Sequence, residues 1–113
     1  MSELKEITDQ NYQKEVIESN DIWSISFSAL SYCAPCKALH EVLKHITKND
    51  KVPNVKFGTV AIEDTGVNWS TEMGIKAAPT THVMRGSKIL GTIMGFQGEE
   101  EFIKKVQSFS KLS

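Results

Sequence analysis

Ile22-Trp23-Ser24-Ile25-Ser26-Phe27-Ser28-Ala29 is followed by Leu30-Ser31-Tyr32 and then by Cys33-Ala34-Pro35-Cys36-Lys37. The first eight residues alternate, with Trp23, Ile25 and Phe27 on one side and Ser24, Ser26 and Ser28 on the other, which is the period of a strand. The serine side is either small enough for close packing or partly wet. From about Cys33 to Lys48 the apolar residues Leu39, Val42, Leu43 and Ile46 recur at helical spacing, which predicts a long helix with one buried stripe. A strand therefore feeds two cysteines that open a helix, and this junction organises the rest of the chain.

Working outward, Val55 to Ile62 reads as a second strong strand and Leu4 to Ile7 as a short one. Thr8 or Asp9 can cap a helix from about Gln10 to Ser19, with Tyr12, Val16 and Ile17 on one face. Val67 to Met73 reads as a short helix stopped at Gly74. Thr80 to Met84 and Lys88 to Met94 flank Arg85-Gly86-Ser87, a hairpin signature. Glu99 to Phe109 is the last helix, with Phe102, Ile103, Val106 and Phe109 on its apolar face and three glutamates in its first turn, where the macrodipole favours acids. Parallel crossovers in the first half and an antiparallel hairpin in the second predict an α/β chain: one mixed sheet of about five strands, flanked on both faces by about four helices.

The 113 residues fit one domain, 1–113, large enough for a core without covalent staples. Two cysteines exclude a disulfide scaffold. Thirteen Lys and Arg against 14 Asp and Glu leave no electrostatic footprint for nucleic acid. No apolar run approaches a membrane span, and the polar first twenty residues lack an apolar signal region. Cytoplasm is the expected compartment, although a Met1 added at a processed terminus would hide a lost signal. A monomer is the expected state.

The chemistry lies in Cys33 and Cys36. A thiolate is the nucleophile, and a free thiol is only slightly ionised at neutral pH. A helix N-terminus presents unpaired N–H groups and the positive end of the dipole, so Cys33 should have a lowered pKa. Cys36, one turn deeper, can close a small ring with it. Pro35 sits in the first turn, where it sacrifices no helical hydrogen bond. Three other readings stand beside this one: two inert buried thiols, a static disulfide, or half of a metal site. No second CxxC exists to complete a zinc site, but His40 and His82 make a Cys-Cys-His-His set conceivable.

Tyr32-Cys33-Ala34-Pro35-Cys36-Lys37 resembles the Trp-Cys-Gly-Pro-Cys-Lys of the thioredoxin family. Gly74-Ile75-Lys76-Ala77-Ala78-Pro79-Thr80 resembles the family segment that ends in a cis proline and a threonine. Arg85-Gly86 and Gly95 fall where the family has its hairpin glycine and the glycine after the last strand. The likeness covers nearly the whole chain and implies the thioredoxin fold. It implies that Cys33 attacks a substrate disulfide and that Cys36 resolves the mixed disulfide. It also implies that Pro79 is cis and faces the dithiol, and that the backbone of Ala78 pairs with an extended substrate segment, with Tyr32, Ala34 and Pro35 completing the substrate surface. The implied partners are protein disulfides and a thioredoxin-reductase-type electron donor, with no bound cofactor and no metal.

The chain departs from the family at four places. No Asp or Glu occurs between Asp21 and Glu41, so the family's buried acid before the dithiol is absent. Ser26 takes its place if the following loop carries one extra residue, and Phe27 does so in a gapless alignment. The lysine that accompanies the acid is Thr59. Losing both together makes physical sense, because a lone buried charge costs more than none. Tyr32 and Ser28 replace two aromatic residues, so the surroundings of the dithiol should be more polar and its apolar docking surface smaller. Ala34 replaces glycine. Without the acid, resolution by Cys36 should slow by up to about 100-fold.

His40, one turn past Cys36, can take the role of base if its face points inward, or it is a partly exposed helix residue with no chemistry. His45 is expected in solvent and His82 on a sheet face. Trp23 reads as core, and Trp69 as either core or a surface anchor. The leading expectation is a thiol–disulfide oxidoreductase acting as a protein-disulfide reductase. The alternative is a binding module of the same fold, or a dimer bridged by a metal or iron–sulfur cluster in which the dithiol does not turn over.

Overall fold

The computed structural model describes residues 3–113, so the first two residues of the expected 1–113 domain lie outside the described residues. Five strands form one sheet: β1 (Leu4–Glu6), β2 (Ile22–Ser28), β3 (Val55–Ala61), β4 (Thr80–Arg85) and β5 (Lys88–Met94). Three α-helices accompany them: α1 (Ala34–Lys48), α2 (Val67–Glu72) and α3 (Glu99–Ser110). The strand order is β1-β3-β2-β4-β5. β1, β3 and β2 run parallel, and β4 is antiparallel to β2 and β5. Arg85 pairs with Lys88 across a Gly86-Ser87 turn, and Gly86 takes φ of 59° there, a conformation that favours glycine.

Each face of the sheet has its own core. On one face Leu39, Leu43 and Ile46 of α1 and Phe102 and Val106 of α3 close over Phe57 and Val83. Gly91 brings α3 in close, since a Cβ there would stand 2.2 Å from the Phe109 ring. On the other face Trp69 of α2 joins Val16, Ile25 and Phe27. Both alternatives for the serine side are now decided. Ser24, Ser26 and Ser28 are buried, and Ser26 Oγ shares a 2.8 Å hydrogen bond with Thr81 Oγ1. The serine face is close-packed under α1 at Ser24 and Ser26, and borders a cleft at Ser28. Trp69 is core, 1% exposed.

The N-terminal region differs from the reading of a helix over Gln10–Ser19. It holds only a short π-helical segment, Gln13–Ile17. The turn that leads into it is capped by Thr8, one of the two expected caps, and Tyr12 N–H reaches the Thr8 carbonyl at 3.0 Å. Thr8 Oγ1 accepts from the Gln10 and Asn11 N–H groups, and Asn11 Oδ1 accepts from Thr8 N–H at 2.7 Å. Glu18 N–H then reaches the Gln13 carbonyl, five residues back. Asp9 does not cap this segment. Its two carboxylate oxygens instead accept the N–H groups of Asn68 and Trp69, at 3.2 and 2.9 Å. Gly66, the residue at the start of α2, has no side chain for that job. His45 also finds a partner: its Nδ1 lies 2.5 Å from Glu99 Oε1, and Lys51 Nζ binds the other oxygen of Glu99 at 2.6 Å. The Lys51 ammonium, with His45 beside it, holds the Glu99 carboxyl below the usual carboxylate range.

Candidate active site

β2 ends at Ser28, and the chain turns through residues 29–33 before α1 begins. Two hydrogen bonds from Ser31 to the Glu63 carboxylate, from its N–H at 3.2 Å and from its hydroxyl at 2.6 Å, tie this loop to the one after β3. Cys33 is the N-cap of α1, with extended backbone, and its sulfur accepts the N–H of Cys36 at 3.2 Å. Pro35 falls within the first two helical positions, where its missing N–H costs nothing. Cys33 and Cys36 form a disulfide with Cα atoms 5.2 Å apart. Cys36 is fully buried and its sulfur accepts Ala29 N–H at 3.4 Å. Cys33 is half-buried, so the pair has one accessible and one sealed sulfur.

The Ala78–Pro79 bond is cis. Cys33 Sγ lies 3.7 Å from the Ala78 carbonyl oxygen, which a reduced thiol can use as acceptor. The segment is held on both sides: Thr80 Oγ1 donates to the Ala77 carbonyl at 2.7 Å, and Gly95 N–H donates to the Pro79 carbonyl at 2.8 Å. Tyr32 is 72% exposed, and the neighbours of Gly95, Met94 and Phe96, are also exposed. The sequence reading missed these two apolar residues. Their signal was Gly95, which they flank in sequence and whose N–H meets the Pro79 carbonyl.

β2–β3 register sets Ser26 opposite Thr59, and Phe27 packs on the other face with Trp69. This agrees with the alignment that carries an extra loop residue. Among the described residues the buried polar side chains are serines, threonines and His82, and none is a carboxylate. His40 lines a cleft of about 370 Å³ together with Ser28, Thr59, Lys44 and Glu6. Burial, and then the Lys44 ammonium, push the His40 pKa down, with Glu41 opposing. His82 sits on the opposite face, edge-on to Phe27 and hydrogen-bonded to Thr92 Oγ1 at 3.0 Å. The conceivable Cys-Cys-His-His set is thus not assembled, and among the described residues no three His, Cys, Asp or Glu side chains are grouped to hold a metal.

Burial pushes the His82 pKa down as well. Unfolded histidine titrates near about 6.5. Between that value and the lower folded one, the unfolded chain binds more protons, so stability falls as pH drops through this window. Urea unfolding at pH 7.5 and 5.5 is expected to give the lower stability at 5.5, with a smaller difference in His82→Gln. An equal difference in both proteins would mean that folding leaves the affinity of His82 for its proton unchanged.

The sequence model of the family described as Thioredoxin matches residues 3–108. A thioredoxin of Buchnera aphidicola subsp. Acyrthosiphon pisum is 32% identical over 95 residues, 84% of this chain and 85% of that protein. Thioredoxin 2 of Chlorobaculum tepidum is 27% identical over 101 residues, 89% of this chain and 90% of that protein. The solved structure of a Malassezia sympodialis thioredoxin superimposes with a TM-score of 0.82 over 97% of this chain and 93% of that one, at 23% identity. That last likeness is one of fold.

Proposed function

The chain belongs to the thioredoxin family and is a thiol–disulfide oxidoreductase with disulfide reductase activity, and we propose that Cys33 is its attacking thiol and Cys36 its resolving thiol. The observation that carries this assignment is the asymmetry of the pair. Cys33 caps α1 at the accessible end, where N–H groups and the helix dipole favour a thiolate. Cys36 is sealed behind it. A substrate disulfide meets Cys33 first. The Cys33 sulfur bonds to one substrate sulfur and the other leaves as thiolate. Cys36 then bonds to Cys33 and releases the second substrate thiol. The electrons come from the two thiols, so this step requires no bound cofactor.

The family implies protein disulfides as substrates and reductase partners in general. In the proposed complex an extended substrate segment pairs with the backbone of Ala78 beside Pro79, and Tyr32, Ala34 and Pro35 form the other wall. The protein acts as a single domain over 1–113, as a monomer, in the cytoplasm, with a thioredoxin-reductase-type donor. Among the described residues no helix is long and apolar enough to cross a membrane.

Equilibration with dithiothreitol or glutathione buffers tests the direction of the reaction. A reduction potential near about −270 mV is expected for a reductase, and about −180 mV or higher would reassign the protein as an oxidant or isomerase. A pair that never closes in solution would replace turnover with a bridging role.

A further inference from the structure

Cys36 must lose a proton before its sulfur can attack, and the fold seals it. Its side chain is fully buried, the N–H of Ala29 meets its sulfur, and among the described residues no carboxylate is buried with it. An apolar setting makes a thiol hold its proton harder. Cys36 does not line the cleft described above, but both neighbours of Ala29, Ser28 and Leu30, do. Thr59 and His40 also form part of its wall. His40 follows Cys36 by four residues on α1 and so shares its helix face. At about 370 Å³ the cleft has room for several water molecules, each occupying about 30 Å³ in the liquid, and two hydroxyls and an imidazole offer them partners.

We propose that His40 accepts the proton that the Cys36 thiol gives up, by way of water in this cleft. The proposal rests on the oxidoreductase reading above. In the mixed disulfide the proton of Cys36 passes to the neutral imidazole. The Cys36 sulfur bonds to the Cys33 sulfur, and the bond from Cys33 to the substrate sulfur breaks. The leaving sulfur takes the electron pair and is protonated from the imidazolium or from water. The two cysteines lose two electrons and the substrate disulfide gains them.

The groups around His40 suit this role. Glu6 from β1 and Lys44 from α1 share the cleft, while β2 and β3 contribute Ser28, Thr59, Val60 and Ala61, none of them titratable near neutral pH. Glu41 on α1 is paired with Lys44 at 2.7 Å. Burial and the Lys44 charge hold the imidazole in the neutral, proton-accepting form.

Single-turnover reaction of the reduced protein with 5,5′-dithiobis(2-nitrobenzoate) separates the two steps. Attack by Cys33 releases one coloured thiolate, and resolution by Cys36 releases the second. At pH 7 His40→Ala and His40→Gln are expected to slow the second phase about tenfold, within the range of general-base assistance, while the first phase serves as an internal control. The second phase of the wild-type protein should show an inflection below about pH 6.5, the ordinary histidine value, that both variants lack. Added imidazole should restore His40→Ala. An unchanged second phase in both variants overturns the proposal. So does a slowed phase that keeps the wild-type pH profile and ignores imidazole, because that is packing alone. If the wild-type protein shows a first phase and no second, the assignment of Cys36 as resolving thiol fails, and the proposal with it.

Discussion

Cys33→Ser is expected to lower disulfide reduction on the order of 10⁴-fold or more, the scale seen when an enzyme loses its nucleophile. A serine hydroxyl stays protonated at neutral pH, and the helix N-terminus that favours a thiolate at position 33 cannot ionise it. Cys36→Ser should behave differently. Cys33 is still present and accessible, so one attack proceeds and the mixed disulfide accumulates. Intact-mass measurement after mixing with a disulfide substrate should find that covalent adduct in Cys36→Ser and not in Cys33→Ser. Adduct formation in Cys33→Ser, with none in Cys36→Ser, would reverse the roles of the two thiols. Comparable turnover in both variants would remove the dithiol from the chemistry altogether.

Trp69→Ala is expected to cost about 3–5 kcal/mol of stability. The indole is 1% exposed. It stacks on Tyr12 with ring centroids 4.7 Å apart, and Phe27 lies at 5.3 Å in tilted contact. α2 has six residues, too few to hold helix without tertiary packing, so the cavity left behind would undo its anchor as well as its contacts. Against a typical total of about 5–15 kcal/mol, the loss should move the urea midpoint well down. A loss below about 1 kcal/mol, less than typical for emptying a core aromatic site, would show that the second core stands without it.

The elements legible in the chain were those with a strong internal period. The alternation over Ile22–Ala29, the stripe Leu39, Val42, Leu43 and Ile46, and the glycine turn at Gly86 each belong to one short segment. Together they gave the strand order's two halves and the position of the dithiol at a helix start. Over Gln10–Ser19 the Thr8 cap was legible, but the π-helical winding that follows, with Glu18 N–H on the Gln13 carbonyl, leaves no mark in apolar spacing. Trp69 could not be placed from six helical residues with no clear stripe. Phe96 and Met94 escaped because the residue between them, Gly95, meets Pro79 through a hydrogen bond between segments distant in sequence. His40 was visible only as a spacing from Cys36. The cleft it lines is built from β1, β2 and β3 together, and no single stretch of sequence describes that.

The carboxylate of Asp9 over the first turn of α2 bears on how the chain is assembled. α2 receives its cap from a residue 60 positions earlier in sequence, so that turn is satisfied only after a long loop has closed. Closing a loop of that length carries an entropic cost that local contacts avoid. The strand–dithiol–helix unit from Ile22 to Lys48 is under the same constraint, because β2 pairs with β3 and β4 and α1 packs on Phe57 and Val83. The proline segment beside the dithiol is likewise brought in from a distance, by the pairing of β4 with β2. Cys33 therefore gains the Ala78 carbonyl beside its sulfur only when segments 45 residues apart have met, and the site is a product of the whole sheet rather than of the CAPC stretch.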